Sequence, residues 1–393
     1  MHTRRLSCTS RRHRLGFTWV ELIVCIAILS TLAALILPAI RTAKPAARRS
    51  QCMSNLRNVG IAMQAYATTK RGVLPPLTWG FEIANPHPTK PAGWTREAPW
   101  TVAILPYMEQ TKLHDRLRIT DDNPVQWQRG MTGGIGAEEA QLLAQTSITA
   151  YLCPDTQNPH DGGLSYVANA GIISEDSWTS ADVNTDHSAE RFDFGFNGYG
   201  AENHNTDDAE LAYSTGVFWR VPVGTPTDKK TPHPINLDQI SARDGTSQTV
   251  LLSENLNTRS YDPQTGMGGW GSNDTGDIAF GIAVPGTREG TAFRVALSDT
   301  AGGLGVAGGA SETALTLSKD PVPLHCLINS NLNDAVNGRA PRPSSKHLGV
   351  VNMAFADGSC KPISEQIAPS VYARLLSPMG GRYGQKELSD NDF

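Results

Sequence analysis

The twelve residues from Asp182 to Asp193 carry side-chain oxygens in a spacing that suits a hard cation. Asp182, Asn184, Asp186, Glu190 and Asp193 stand at positions 1, 3, 5, 9 and 12 of that stretch, the side-chain ligand positions of an EF-hand-type loop. Calcium takes several hard oxygen ligands, and a short loop supplies them by alternating them in this way. His187 holds the sixth position, where such loops turn on glycine, and Asp193 ends the stretch in place of the longer glutamate. Calcium is therefore the one cofactor the sequence raises, and a solvated acidic loop is the competing reading.

His347 and Asp357 form a second pair with chemical potential. Leu348–Ala356 between them alternates as a strand, and ten residues at about 3.3 Å each set the pair roughly 33 Å apart. That spacing predicts a hairpin turn at Asp357-Gly358, with His347 as a lead-in residue hydrogen-bonded to a loop, rather than a shared ion or an acid–base couple. Gly303-Leu304-Gly305-Val306-Ala307-Gly308 matches the dinucleotide fingerprint in letters but lacks the early βαβ unit that gives it meaning. No G-x-S-x-G, H-E-x-x-H, C-x-x-C or Walker A pattern occurs, so no enzymatic activity is expected.

The elements that must position these residues divide the chain in three. Residues 1–16 form a basic leader with five arginines and no acid. Phe17–Ile40 is an apolar run interrupted early by Glu21 and mildly by Ser30 and Thr31; as a helix it spans roughly 36 Å, enough to cross a bilayer core. Beyond it, Cys52, Leu56, Val59, Met63 and Tyr66 recur in steps of four and three, the mark of one buried helical face. Lys70-Arg71-Gly72 and Pro75-Pro76 end that helix, so residues 17–71 read as one helix with a membrane half and an amphipathic half. Residues 72–393 alternate short apolar runs with turn residues. Strands are expected at Gly216–Val223, Thr249–Ser253, Ile278–Val284 and Gly349–Phe355, helices near Glu109–Leu117 and Ala137–Gln145, and a flexible loop at Ala301–Ala310. The fold class is α+β: a long N-terminal helix packed on a mainly antiparallel β head with short helices and long loops. The head carries 22 Lys/Arg against 37 Asp/Glu, which argues against nucleic acid as a partner.

Gly16-Phe17-Thr18-Trp19-Val20-Glu21-Leu22-Ile23 resembles the cleavage and methylation motif of type IV prepilins and pseudopilins, with Trp19 in place of the usual leucine. The resemblance implies that a prepilin peptidase cuts after Gly16 and methylates Phe17. It also implies that Glu21 partners the terminal amine of a neighbouring pilin-like subunit, and Pro38 falls where pilin helices kink. Further along, Cys52-Met53-Ser54-Asn55-Leu56-Arg57, Leu105–Gln110, Cys153-Pro154-Asp155, Ser165–Gly171, Arg243–Thr249 and the His347…Asp357-Gly358 spacing follow in the order of the DUF1559 family, which this chain resembles over nearly its whole length. Leu348 stands where proline is common in that family, and residues 172–240 match little of it. The family brings no established enzymatic activity, and one label sets it beside solute-binding proteins.

These resemblances imply a pilin-like structural protein, single-pass in the cytoplasmic membrane, in contact with its lipid and with pilin-like subunits. Its head would lie in the periplasm or at the cell surface. The alternative is a tethered extracytoplasmic protein that binds a solute or polysaccharide, with Trp79, Trp94, Trp178 and Trp270 either stacking on sugars or anchoring the core. An exported head would place Cys52, Cys153, Cys326 and Cys360 in an oxidising compartment. Four cysteines allow three full pairings, and spacing does not separate them. Cys52 with Cys153, both inside family-like motifs, would staple the helix to the head; Cys326 with Cys360 would then brace the C-terminal region, and buried free thiols remain the other outcome.

Overall fold

A computed structural model describes residues 18–82, 95–117, 145–156, 162–174, 215–221, 235–259, 268–272, 275–284, 294–296, 305–307, 327–330, 332, 342–380, 388–389 and 393. Gly16, Phe17, Trp94, Trp178, Cys326, the Ala137–Ala144 stretch and the acidic positions Asp182–Asp193 lie outside them.

Helix α1 runs from Trp19 to Thr69, through Pro38. Its start is set by a reciprocal cap. The Thr18 backbone N–H and hydroxyl both donate to Glu21 Oε2, at 2.9 and 2.8 Å, while the Glu21 N–H donates to Thr18 Oγ1 at 3.3 Å. This is the S/T-x-x-E capping box, which satisfies amide groups that a helix start leaves without partners. The other end closes through Gly72 N–H to Ala67 O at 2.8 Å, with Arg71 and Gly72 both at positive φ, as left-handed helix stops require. The chain separates into two compact units, Met1–Ala47 and Arg48–Phe393, so the boundary falls inside α1.

In the first unit, Trp19–Leu37 is long and apolar enough to cross a membrane by length and composition, and none of it is buried. In the second, Cys52, Leu56, Val59 and Met63 are fully buried and Tyr66 is half-buried. That face joins a single core with the strands of the head.

The head is built of β1 (Thr78–Glu82), β2 (Thr95–Pro99), α2 (Trp100–Ala103), α3 (Thr111–Leu117), β3 (Tyr166–Ser174), β4 (Arg220–Val221), α4 (Leu237–Ser241), β5 (Val250–Glu254), α5 (Thr275–Ile278), β6 (Ala279–Val284), β7 (Arg294–Ala296), β8 (Gly305–Ala307), β9 (Val350–Phe355), β10 (Cys360–Ser364) and α6 (Pro369–Leu376). Its main sheet has the order β10-β9-β5-β3-β6, beside a three-stranded β2-β1-β4 sheet and a β7-β8 pair. The fold is α+β with mixed sheets. β10, β9, β5 and β3 pair antiparallel, but β6 joins β3 in parallel and β4 joins β1 in parallel.

Local chemistry explains several of the sequence motifs. Asn169 in the Ser165–Gly171 segment is buried; its amide donates to Val250 O and Leu376 O, each at 2.8 Å, and its Oδ1 accepts from Gly171 N–H at 2.9 Å. Gly171 sits at φ +71 at the bulge between β3 and β6, where an added Cβ would lie 2.4 Å from Thr215 O. Asp357-Gly358 forms the β9–β10 hairpin turn, with Ser359 N–H donating to Asp357 Oδ1 at 2.8 Å.

The expected loop at Ala301–Ala310 instead contains strand β8, because Gly305–Ala307 pairs with β7. The strand expected over Ile278–Val284 is β6, Ala279–Val284, with Ile278 itself closing the short helix α5; of Gly216–Val223, among the described residues, Arg220–Val221 pairs. Trp270 is fully buried, its Nε1–H donating to Thr146 O at 2.8 Å. It is a core anchor, which removes it as a sugar-stacking surface; Trp79 is half-buried against the same core.

Candidate functional site

The residue expected to be a simple lead-in, His347, lies at the centre of a polar cluster in the core. It is held by a tight turn: His347 N–H donates to Ser345 Oγ at 3.1 Å, and Val350 N–H donates to His347 O at 3.3 Å. The ring then meets a different carboxylate at each nitrogen. Nδ1 is 3.3 Å from Asp155 Oδ2, and Nε2 is 3.3 Å from Glu254 Oε1. Nε2 is also 3.8 Å from Cys153 Sγ.

Four elements converge to make this arrangement. Cys52 comes from the head half of α1, and Cys153 and Asp155 from the loop after Tyr151. Glu254 comes from the last position of β5, and His347 from the turn before β9. Cys52 and Cys153 are joined in a disulfide with Cα atoms 4.7 Å apart. The Cys52 carbonyl accepts from the Tyr166 hydroxyl at 2.9 Å, and Asn55 Nδ2 donates to Leu152 O at 2.8 Å. The cysteine-bearing loop is thus tied to α1 by polar contacts as well as by sulfur.

Each acid is itself fixed. Glu254, buried, accepts Asn352 N–H at Oε2 and Asn352 Nδ2 at Oε1, both at 3.0 Å. Asp155 Oδ1 accepts Arg48 Nη1 at 3.0 Å. An imidazolium donates at both ring nitrogens and satisfies both carboxylates; a neutral ring leaves one lone pair facing an oxygen. Tyr166 packs beside Glu254, and burial first, then that negative charge, pushes its phenol well above the usual value.

Cys360 on β10 is a free thiol, as is Cys25 on α1. Cys326, the expected partner of Cys360, lies outside the described residues. Burial, with the charges of Glu254 and Asp357 and against that of Arg57, pushes the Cys360 thiol up to about 12.

The expectation of calcium is corrected here. The groups that gather around one point are Cys52, Cys153, Glu254 and His347, all buried, with ligand atoms within 4.8 Å of one another. Two sulfurs, an imidazole nitrogen and one carboxylate oxygen suit a transition metal such as zinc; calcium selects sets of six to eight oxygens. Asp357 takes no part, as the strand spacing required. Asp155 and Glu254 were missed. Asp155 stood inside the Cys153-Pro154-Asp155 motif, and Glu254 is an acid closing the otherwise apolar run Val250–Leu252, which is the signal that was available.

No curated protein and no solved structure matches the chain. The family SBP_bac_10, described as Protein of unknown function (DUF1559), matches residues 41–370, and the chain belongs to it.

Proposed function

We propose that this DUF1559 protein is a membrane-tethered, extracytoplasmic ligand-binding protein, anchored once by Trp19–Leu37 in the cytoplasmic membrane. The observation that carries the reading is a self-contained unit, Arg48–Phe393, whose core includes a disulfide, in a chain that also has a 19-residue apolar helical stretch with no buried residue. Disulfides persist in oxidising compartments, and an apolar stretch of that length finds its solvent in lipid. The family's label beside solute-binding proteins supports capture of a solute or polysaccharide.

The pilin-like reading rests on Glu21 and the residues around it. That resemblance implies that the acid pairs with the terminal amine of a neighbouring subunit. The Thr18 cap supplies a partner within the chain, so the acid no longer demands assembly. Cleavage at Gly16-Phe17 remains compatible with either role, since both need the same anchor.

The test uses the full chain in nanodiscs, melted against a panel of soluble polysaccharides and small polar solutes. A saturable upward shift that persists in Glu21→Ala supports the tethered binder. No shift across the panel, together with Glu21-dependent oligomers by light scattering, overturns it in favour of the assembly subunit.

A further inference from the structure

We infer that the Cys52–Cys153 disulfide is one of two states of a single site, and that in the reduced state the same residues form a zinc site. The site is independent of whether the head captures a ligand or packs in an assembly. The donors are already gathered: Cys52, Cys153, His347 and Glu254 bring their ligand atoms within 4.8 Å of one another in the buried core, and reduction frees the two sulfurs to part and turn towards an ion.

The surroundings are those a metal-binding histidine requires. A ligating imidazole donates its other ring N–H to a carboxylate, which fixes the tautomer and the ring plane. Here Nε2 faces the sulfur and Glu254, and Nδ1 faces Asp155. Asp155 is in turn held by Arg48. Glu254 is oriented by two donors from Asn352, leaving its remaining lone pairs directed at the cluster. A disulfide that served only as a staple would need none of these groups beside it, and burying the Glu254 carboxylate against a buried histidine is costly when stability is the sole return.

The chemistry balances with a dithiol as reductant. The dithiol passes two electrons to the S–S bond and leaves as its own disulfide, and Cys52 and Cys153 become thiols. Zinc then binds two thiolates, the Nε2 lone pair and one Glu254 oxygen. The thiol protons, and the proton on Nε2 where the ring carries one, go to solvent. No further redox partner is needed, because zinc does not change oxidation state. The oxidised pair has no thiolate to offer, so the two states exclude one another.

The test uses the full chain in detergent with Cys8, Cys25, Cys326 and Cys360 replaced by serine, so that only the paired cysteines remain. The protein is reduced with dithiothreitol, desalted without oxygen and titrated with cobalt(II), then with zinc(II). The reduced chain is expected to take up one cobalt with a near-ultraviolet thiolate-to-metal band that zinc abolishes, and the oxidised chain to show no band. His347→Ala should remove the band or weaken binding by at least ten-fold, and Asp155→Asn should weaken it about ten- to hundred-fold. Zinc should also slow re-formation of the disulfide by diamide, a readout that a purely structural role of His347 would not move. Absence of the band in reduced protein overturns the inference. So does a band of equal affinity in His347→Ala, or a reduced chain that loses its near-ultraviolet dichroism and does not regain it with zinc.

Discussion

The two stretches of helix α1 share a backbone conformation and almost nothing else. Over Trp19–Leu37 apolar residues cover every side of the helix and all are exposed; over Cys52–Ala67 most of them gather in one buried stripe, with Ile61 left exposed outside it. A helix apolar all round needs an apolar solvent, whereas a striped one needs a protein surface. The contrast teaches that α1 is specified twice, by bulk hydrophobicity before Ala47 and by periodicity after Arg48. A substitution of one kind should therefore have opposite consequences in the two stretches.

The largest difference is expected for leucine truncation. Leu56→Ala should lower the stability of the head by about 2–5 kcal/mol, the usual loss for a fully buried leucine. Leu29→Ala should leave the head's urea midpoint unchanged and reduce only membrane partitioning. Equal midpoints for the two variants would break the comparison. Cys153→Ser comes next: opening a loop with a sequence separation of 101 should cost about 2–4 kcal/mol, read as a lower melting temperature that dithiothreitol no longer changes.

A smaller effect, about 1 kcal/mol, is expected when Thr18→Ala removes the cap. Hydrogen exchange should then quicken at residues 19–22 and stay unaltered at 52–67. The smallest effect separates Cys360 from ordinary thiols. Because burial pushes its thiol up to about 12, alkylation by iodoacetamide at pH 8 should be far slower in the folded chain than in urea. The sign follows from linkage: the thiol is neutral in the fold, so its contribution is whole below the ordinary thiol value of about 8.5. It is lost as pH climbs towards 12. Rapid labelling at pH 8 without unfolding would show that the β9–β10 edge opens more readily than the core beneath it.

What could be read from the residues follows their range of interaction. The stripe on α1, the hairpin at Asp357-Gly358 and strands β5 and β9 were legible because each rests on local periodicity or turn chemistry. The Thr18–Glu21 cap was equally local, a Thr three residues before a Glu, but the apolar run around Glu21 drew attention to lipid instead. The parallel joining of β6 to β3 was not legible, since it depends on a bulge at Gly171 and on a crossover of more than a hundred residues. The cluster at His347 was hidden for the same reason. Its members stand at positions 52, 153, 155, 254 and 347, and only the closing of the main sheet over α1 brings them together. The calcium expectation failed by trusting spacing within one loop, where the structure assembles its donors from four separate segments.

The Cys52–Cys153 bond also alters what a protease can release. One of its ends lies on α1, and a sequence separation of 101 divides it from the other. A cut at any peptide bond between the two cysteines yields fragments that stay linked through sulfur, and the fragment carrying Trp19–Leu37 keeps its hold on the remainder. Shedding of the C-terminal portion by such a cut therefore takes two events, hydrolysis and reduction. A chain nicked within that loop but not reduced keeps its two fragments together.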